Sequence, residues 1–115
     1  MTKKKLCFDL DGVICTTFKK RYFTAKPKKK IIKLINELYK KNTIIVFTAR
    51  FMGRYNNAKI AKTKGEKLTK NQLKKWNLQY HELIMGKPSF DIYIDDKNLG
   101  FKKNSWVRDL KKILK

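Results

Sequence analysis

The chain has 115 residues, enough for one domain and too few for two. Lys+Arg number 30 against 9 Asp+Glu, a formal net charge of +21, and 42% of residues are hydrophobic, which supports a real core. No apolar run is long enough to span a membrane, and the Met1–Lys5 start does not read as a secretory signal, so a cytoplasmic protein without a membrane partner is expected.

The charge attracts phosphate esters, nucleotides or polyanions. Its make-up is less selective. Arg21, Arg50, Arg54 and Arg108 are the arginines and the rest are lysines. Bidentate phosphate and base recognition favours arginine. Lysine, isoleucine and asparagine are all frequent, as in proteins from AT-rich genomes. Composition therefore accounts for most of the charge, and binding of nucleic acid is not favoured.

In chain order, Lys4 to Asp9 reads as a first strand. Gly12 to Ala25 reads as a loop or small hairpin, with Phe18, Tyr22 and Phe23 as packing residues. Pro27 suits the first turn of a helix running to about Lys41, with Ile31, Leu34, Ile35 and Leu38 as its apolar stripe. Thr43 to Phe47 is β-branched and apolar, a second strand. Asn56 to Lys64 reads as a short helix ending at Gly65. Thr69-Lys70-Asn71-Gln72 matches a capping box for another helix ending near Trp76. Glu82–Met85 and Phe90–Ile94 read as strands three and four. Asn104 or Ser105 caps a last helix containing Trp106, Leu110 and Ile113. Cys7 reads as a small buried hydrophobe, Cys15 as unsupported for thiol catalysis, and His81 as structural.

Strands alternating with helices predict an α/β fold: one Rossmann-like parallel sheet covered on both faces by helices. Each strand then delivers a polar group to one edge. Asp9 and Asp11 follow strand one, Thr48-Ala49-Arg50 strand two, Gly86-Lys87-Pro88 strand three, and Asp95-Asp96 strand four. Ligands of open α/β sheets bind at such carboxyl ends. Clustered carboxylates repel and need a cation or a shared proton, and Mg²⁺ is the hard ion that prefers oxygen ligands. The set suits Mg²⁺-dependent phosphoryl transfer.

In order and type these groups resemble the haloacid dehalogenase superfamily of phosphohydrolases. Asp9-Leu10-Asp11-Gly12-Val13 is similar to its first motif, Phe47-Thr48-Ala49-Arg50 to the second, Lys87 to the third and Ile94-Asp95-Asp96 to the fourth. The resemblance covers Leu6 to about Phe101. It implies Asp9 as the nucleophile forming an aspartyl-phosphate, and Asp11 as general acid and base. It implies Thr48, with backbone N–H groups near Gly12 and Ala49, on a phosphate oxygen, and Lys87 holding Asp9. Asp9, Asp11 (also through its backbone carbonyl), Asp95 and Asp96 would hold Mg²⁺, one of the last two through water. Arg50 is a candidate for a second anionic group of the substrate.

The stretches 12–47 and 49–86 are filled by loops, helices and strands, which leaves no room for a cap domain. The T-A-R and D-D-K forms resemble small capless phosphatases of sugar or polyol phosphates, including those of surface-polysaccharide synthesis. The expected function is thus phosphomonoester hydrolysis on a small phosphorylated metabolite (sugar, polyol or nucleotide-linked), by a monomer or by a homo-oligomer that covers the open site. The alternatives are a phosphatase of nucleic-acid ends and a non-catalytic basic module that binds polyanions.

Overall fold

A computed structural model describes residues 3–101 and 105–115. The strands are β1 (Lys5–Asp9), β2 (Cys15–Thr16), β3 (Lys26–Pro27), β4 (Thr43–Thr48) and β5 (Glu82–Met85). The α-helices are α1 (Lys29–Tyr39), α2 (Met52–Tyr55), α3 (Ala58–Lys75) and α4 (Trp106–Ile113). β1, β4 and β5 form a three-stranded parallel sheet in the order β1-β4-β5, flanked by helices. The predicted α/β class and parallel sheet are present.

β4 is central and alternates strictly. Ile44, Val46 and Thr48 are fully buried, while Thr43, Ile45 and Phe47 are half-buried. The buried face shares one core with Phe8 of β1, Ile32 and Ile35 of α1, Leu73 of α3, and Trp106 and Leu110 of α4. The register pairs Asp9 with Phe47 and Phe47 with Ile84, so Asp9 stands on the less buried face of the sheet. His81 is structural: its Nδ1 accepts the Ile44 N–H at 2.9 Å and its ring stacks on Tyr39.

Several predicted elements change. The two helices predicted around Gly65 are one continuous helix, α3, capped by Asn57, whose side chain accepts the Ile60 N–H at 3.0 Å. Gly65 is not a stop signal. A Cβ there would lie 2.5 Å from the Phe51 ring, so the glycine admits that ring against the helix. Thr69 is likewise buried inside α3 rather than at its start. Pro27 lies in β3, and α1 starts two residues later. The stretch after Asp11 is the hairpin β2–β3, but Phe18 and Phe23 are exposed rather than packed. Cys7, expected to be buried, is exposed.

The largest correction concerns Phe90–Ile94, which forms no strand. Phe90 and Tyr93 stack with centroids 5.1 Å apart. In a strand, residues i and i+3 point to opposite faces, so that stack requires the chain to turn. Ile92 and Ile94 are left 78% and 93% exposed. Among the described residues β1 pairs only with β4.

Candidate active site

Asp9 ends β1, and its Oδ1 accepts the Leu10 N–H at 2.9 Å. The Lys87 Nζ stands 3.7 Å from the same oxygen, with the lysine side chain 13% exposed and the aspartate 39%. The backbone brings them together: the Lys87 N–H donates to the Thr48 carbonyl at 3.1 Å, where β5 runs out beside β4. Gly86 makes the turn between them with φ +93°, a left-handed conformation suited to glycine. Burial pushes the Asp9 carboxyl up, opposed by the Lys87 charge and the Leu10 N–H, with Asp11 adding to the rise.

Asp11 is turned elsewhere. Arg50 Nε reaches its Oδ2 at 3.0 Å and Nη2 its Oδ1 at 3.0 Å, and the Thr17 hydroxyl also donates to Oδ1. Arg50 is only 1% exposed. Its Nη1 donates to Thr69 and Gln72 of α3, and its guanidinium lies 5.0 Å from the Tyr22 ring centroid. The predicted use of Arg50 on a second anion of the substrate is therefore corrected: the guanidinium is enclosed and bound to Asp11.

Thr48 is completely buried, and its hydroxyl accepts the Arg50 N–H at 3.1 Å. It shapes the turn that carries Arg50 and sits one residue beyond the Asp9–Phe47 pair. The Ala49 carbonyl accepts the Met52 N–H and opens α2. Gly12 has φ +95° in the tight turn after β1. Its N–H donates to the Cys15 carbonyl at 2.8 Å, and its carbonyl accepts from Lys28 Nζ at 2.7 Å. That N–H is engaged within the loop rather than presented to a ligand.

Asp95 and Asp96 lie on the exposed segment after β5. The Asp95 carboxylate accepts the Lys97 N–H at 2.8 Å and the Tyr93 hydroxyl at 2.9 Å, and these bonds, the first above all, hold it below its ordinary value. The Tyr93 side chain that donates to Asp95 also lies with its ring against Lys87, so the Asp95 segment reaches the Asp9–Lys87 pair through that ring.

The structure thus brings Asp9 and Lys87 together and joins Asp11 to Arg50, while Thr48, expected on a phosphate oxygen, turns its hydroxyl to the buried face and meets Lys87 only through its backbone carbonyl. The structure does not gather Asp9, Asp11, Asp95 and Asp96 into one cluster: among the described residues no group of three or more His, Cys, Asp or Glu side chains is placed to hold a metal ion. The Asp11 side chain does not fit the expected metal set, because Arg50 and Thr17 take its oxygens. Asp9 does fit. It is a half-buried carboxylate with a raised pKa and, among the described residues, no hydrogen bond to Oδ2. Mg²⁺ needs only one or two carboxylates when waters and a phosphate fill the remaining positions. Asp9 is the residue whose surroundings fit such a role; Asp95 and Asp96, on the exposed segment after β5, are not gathered with it.

Two clefts of about 430 and 460 Å³ lie elsewhere, one against Lys28, Ile31 and Trp106 and the other against Lys33, Asn36 and Trp76. Neither includes Asp9 or Lys87. Sequence reasoning missed Thr17, Gln72, Phe90 and Tyr93 as neighbours of the site. Gln72 was visible only as part of an apparent capping box, and Thr17 carried no signal.

No family model and no curated protein matches the chain. Among solved structures it is similar to an MCSG target protein from Vibrio cholerae, at 25% identity and a TM-score of 0.77, over 96% of this chain and 98% of that one. The similarity spans the whole α/β unit.

Proposed function

We propose that the protein is a capless phosphomonoester hydrolase of the haloacid dehalogenase type. The observation that carries the reading is the meeting of Asp9 and Lys87 at the carboxyl ends of β1 and β5, with Thr48 between them on β4. These residues come from three separate motifs. A carboxylate beside an ammonium at a sheet edge is suited to attack on a phosphate ester.

In this reading Asp9 Oδ2 attacks phosphorus, and the bond from phosphorus to the ester oxygen breaks. The departing alcohol takes a proton from Asp11. Water then attacks the aspartyl-phosphate, returns a proton to Asp11, and releases inorganic phosphate with Asp9 regenerated. Lys87 orients Asp9 and offsets charge on the phosphoryl oxygens. Arg50 and Thr17 fix where Asp11 starts, and one of its oxygens has to leave them to exchange the proton. Mg²⁺ would supply neutralisation of the repulsion between carboxylate and phosphate. With no cap domain between the motifs, the substrate or a second copy of the chain would itself cover the site.

The test is phosphate release from sugar phosphates, polyol phosphates, nucleotides and 5′- or 3′-phosphorylated oligonucleotides, with Mg²⁺ and with a chelator. Turnover that needs Mg²⁺ and is abolished in Asp9→Asn is expected. Activity confined to oligonucleotides would move the assignment to nucleic-acid ends. Steady turnover by Asp9→Asn would remove the nucleophile. Salt-dependent polyanion binding with no hydrolysis on any ester would replace the enzyme by a binding module.

A further inference from the structure

Among the described residues the Lys87 ammonium has one carboxylate neighbour, Asp9, and three aromatic rings around it. The centroids of Tyr93, Phe90 and Phe47 lie 5.0, 5.4 and 5.9 Å from Nζ. Phe47 is fixed in the sheet beside Asp9. Phe90 and Tyr93 come from the turned segment after β5, where no strand holds them. Tyr93 has a second contact: its hydroxyl donates to Asp95 Oδ2 at 2.9 Å, while the Lys97 N–H anchors the other oxygen of Asp95 at 2.8 Å. The ring is therefore tied at its polar end and faces the cation with its π surface. An ammonium in this position is attracted by the ring quadrupole.

We infer that Tyr93 is a positioning residue, whose ring holds the Lys87 amine against Asp9 and whose hydroxyl anchors that ring on Asp95. Phe90 stacks behind it and limits its rotation. Lysine on its own is a flexible four-carbon stem, and of the three rings around the Lys87 amine the Tyr93 centroid lies nearest. The contact geometry stands without an assigned reaction, and its catalytic consequence rests on the phosphatase reading.

Two variants separate ring from hydroxyl. Tyr93→Phe keeps the ring, and Tyr93→Leu removes the ring with its hydroxyl. Tyr93 is 43% exposed and outside every described helix and strand, so the core is untouched by either change. The first readout is the rate at which an N-hydroxysuccinimide ester acylates Lys87, followed by peptide mass spectrometry against exposed Lys33. Lys87 of Tyr93→Leu should label about two- to five-fold faster than wild type, the scale of a lost cation–π contact, with Tyr93→Phe between the two because its ring stays but loses its anchor on Asp95. Equal labelling in all three proteins overturns the inference. The second readout is turnover on whichever ester the screen identifies. Tyr93→Leu should lower kcat about two- to five-fold with KM nearly constant, and Tyr93→Phe should recover most of it. A loss in KM alone would place the ring on the substrate and overturn the positioning role. If wild type hydrolyses nothing, the phosphatase reading fails while the labelling result still decides the clamp.

Discussion

Arg50 and Asp11, 39 residues apart in sequence, form a two-point ion pair in which the arginine side chain is fully buried and the aspartate is 25% exposed. Gln72, Thr69 and the Tyr22 ring complete the enclosure. One guanidinium thereby ties the loop after β1 to the turn after β4 and to the middle of α3. Removing one member of a buried pair leaves the other uncompensated, at a cost of about 3–5 kcal/mol. Arg50→Met should lower unfolding free energy by about that amount in urea titrations. Combining it with Asp11→Leu should recover a large part of the loss, because an apolar pair of similar bulk avoids the stranded charge. Additive losses in the double variant would show that the two residues do not act together.

Gly65 offers a second test. In an exposed helix Gly→Ala is stabilising by about 1 kcal/mol. Here the added methyl would meet Phe51 at 2.5 Å and Met85 at 3.1 Å. Gly65→Ala should therefore destabilise by about 1–3 kcal/mol, the range for overpacking. Phe51→Leu should relieve part of the penalty in the double variant. A higher Tm for Gly65→Ala alone would mean that the Phe51 ring does not occupy this face of α3.

That same glycine shows where the sequence was legible and where it was not. Local patterns carried the strands well: Glu82–Met85 has the predicted bounds, and β1 and β4 differ from expectation by one residue at one end. These segments are buried by their own alternation or apolar run, so the signal is local. Gly65 read as a terminator because its partner, Phe51, is a tertiary neighbour. Phe90–Ile94 read as a strand because it is a mostly apolar run, yet its Phe90 and Tyr93 rings turn to the same side and stack beside Lys87. Within the site, Asp9 and Lys87 were legible from their places at strand ends. The enclosure of Arg50 was not, because Thr17, Thr69 and Gln72 are scattered polar residues whose convergence only the fold supplies.

The thiols differ in exposure, and both are held above the ordinary thiol value. Cys15 is buried, and burial with the nearby Asp11 charge pushes its thiol up to about 11. Cys7 is exposed, but desolvation and the Asp9 and Asp95 charges also raise it, with Lys87 opposing. The thiolate is the reactive form, so both are slow at neutral pH. Titration with an aromatic disulfide reagent at pH 8 should modify Cys7 slowly and Cys15 only in denaturant. Cys7→Ser should remove the native-state reaction. Fast modification of Cys15 in the folded protein would show that the loop after β1 opens readily.

Asp9 gives the pH test. Its folded-state pKa is raised, chiefly by burial, above the ordinary value of 3.8 that the unfolded chain retains. The native state therefore prefers the protonated form. Stability associated with this group is fully present below pH 3.8 and is lost as pH rises through the folded value. At neutral pH in metal-free buffer the ionised carboxylate is a cost to the fold, only partly offset by Lys87. Asp9→Asn should raise Tm at pH 7, and the advantage should shrink on acidification and vanish below pH 3.8. That behaviour is expected of a group placed for chemistry rather than for stability. If Asp9→Asn instead melts lower than wild type at pH 7, the pair with Lys87 outweighs the burial of the carboxylate, and Asp9 is a structural ion-pair partner rather than a poised nucleophile.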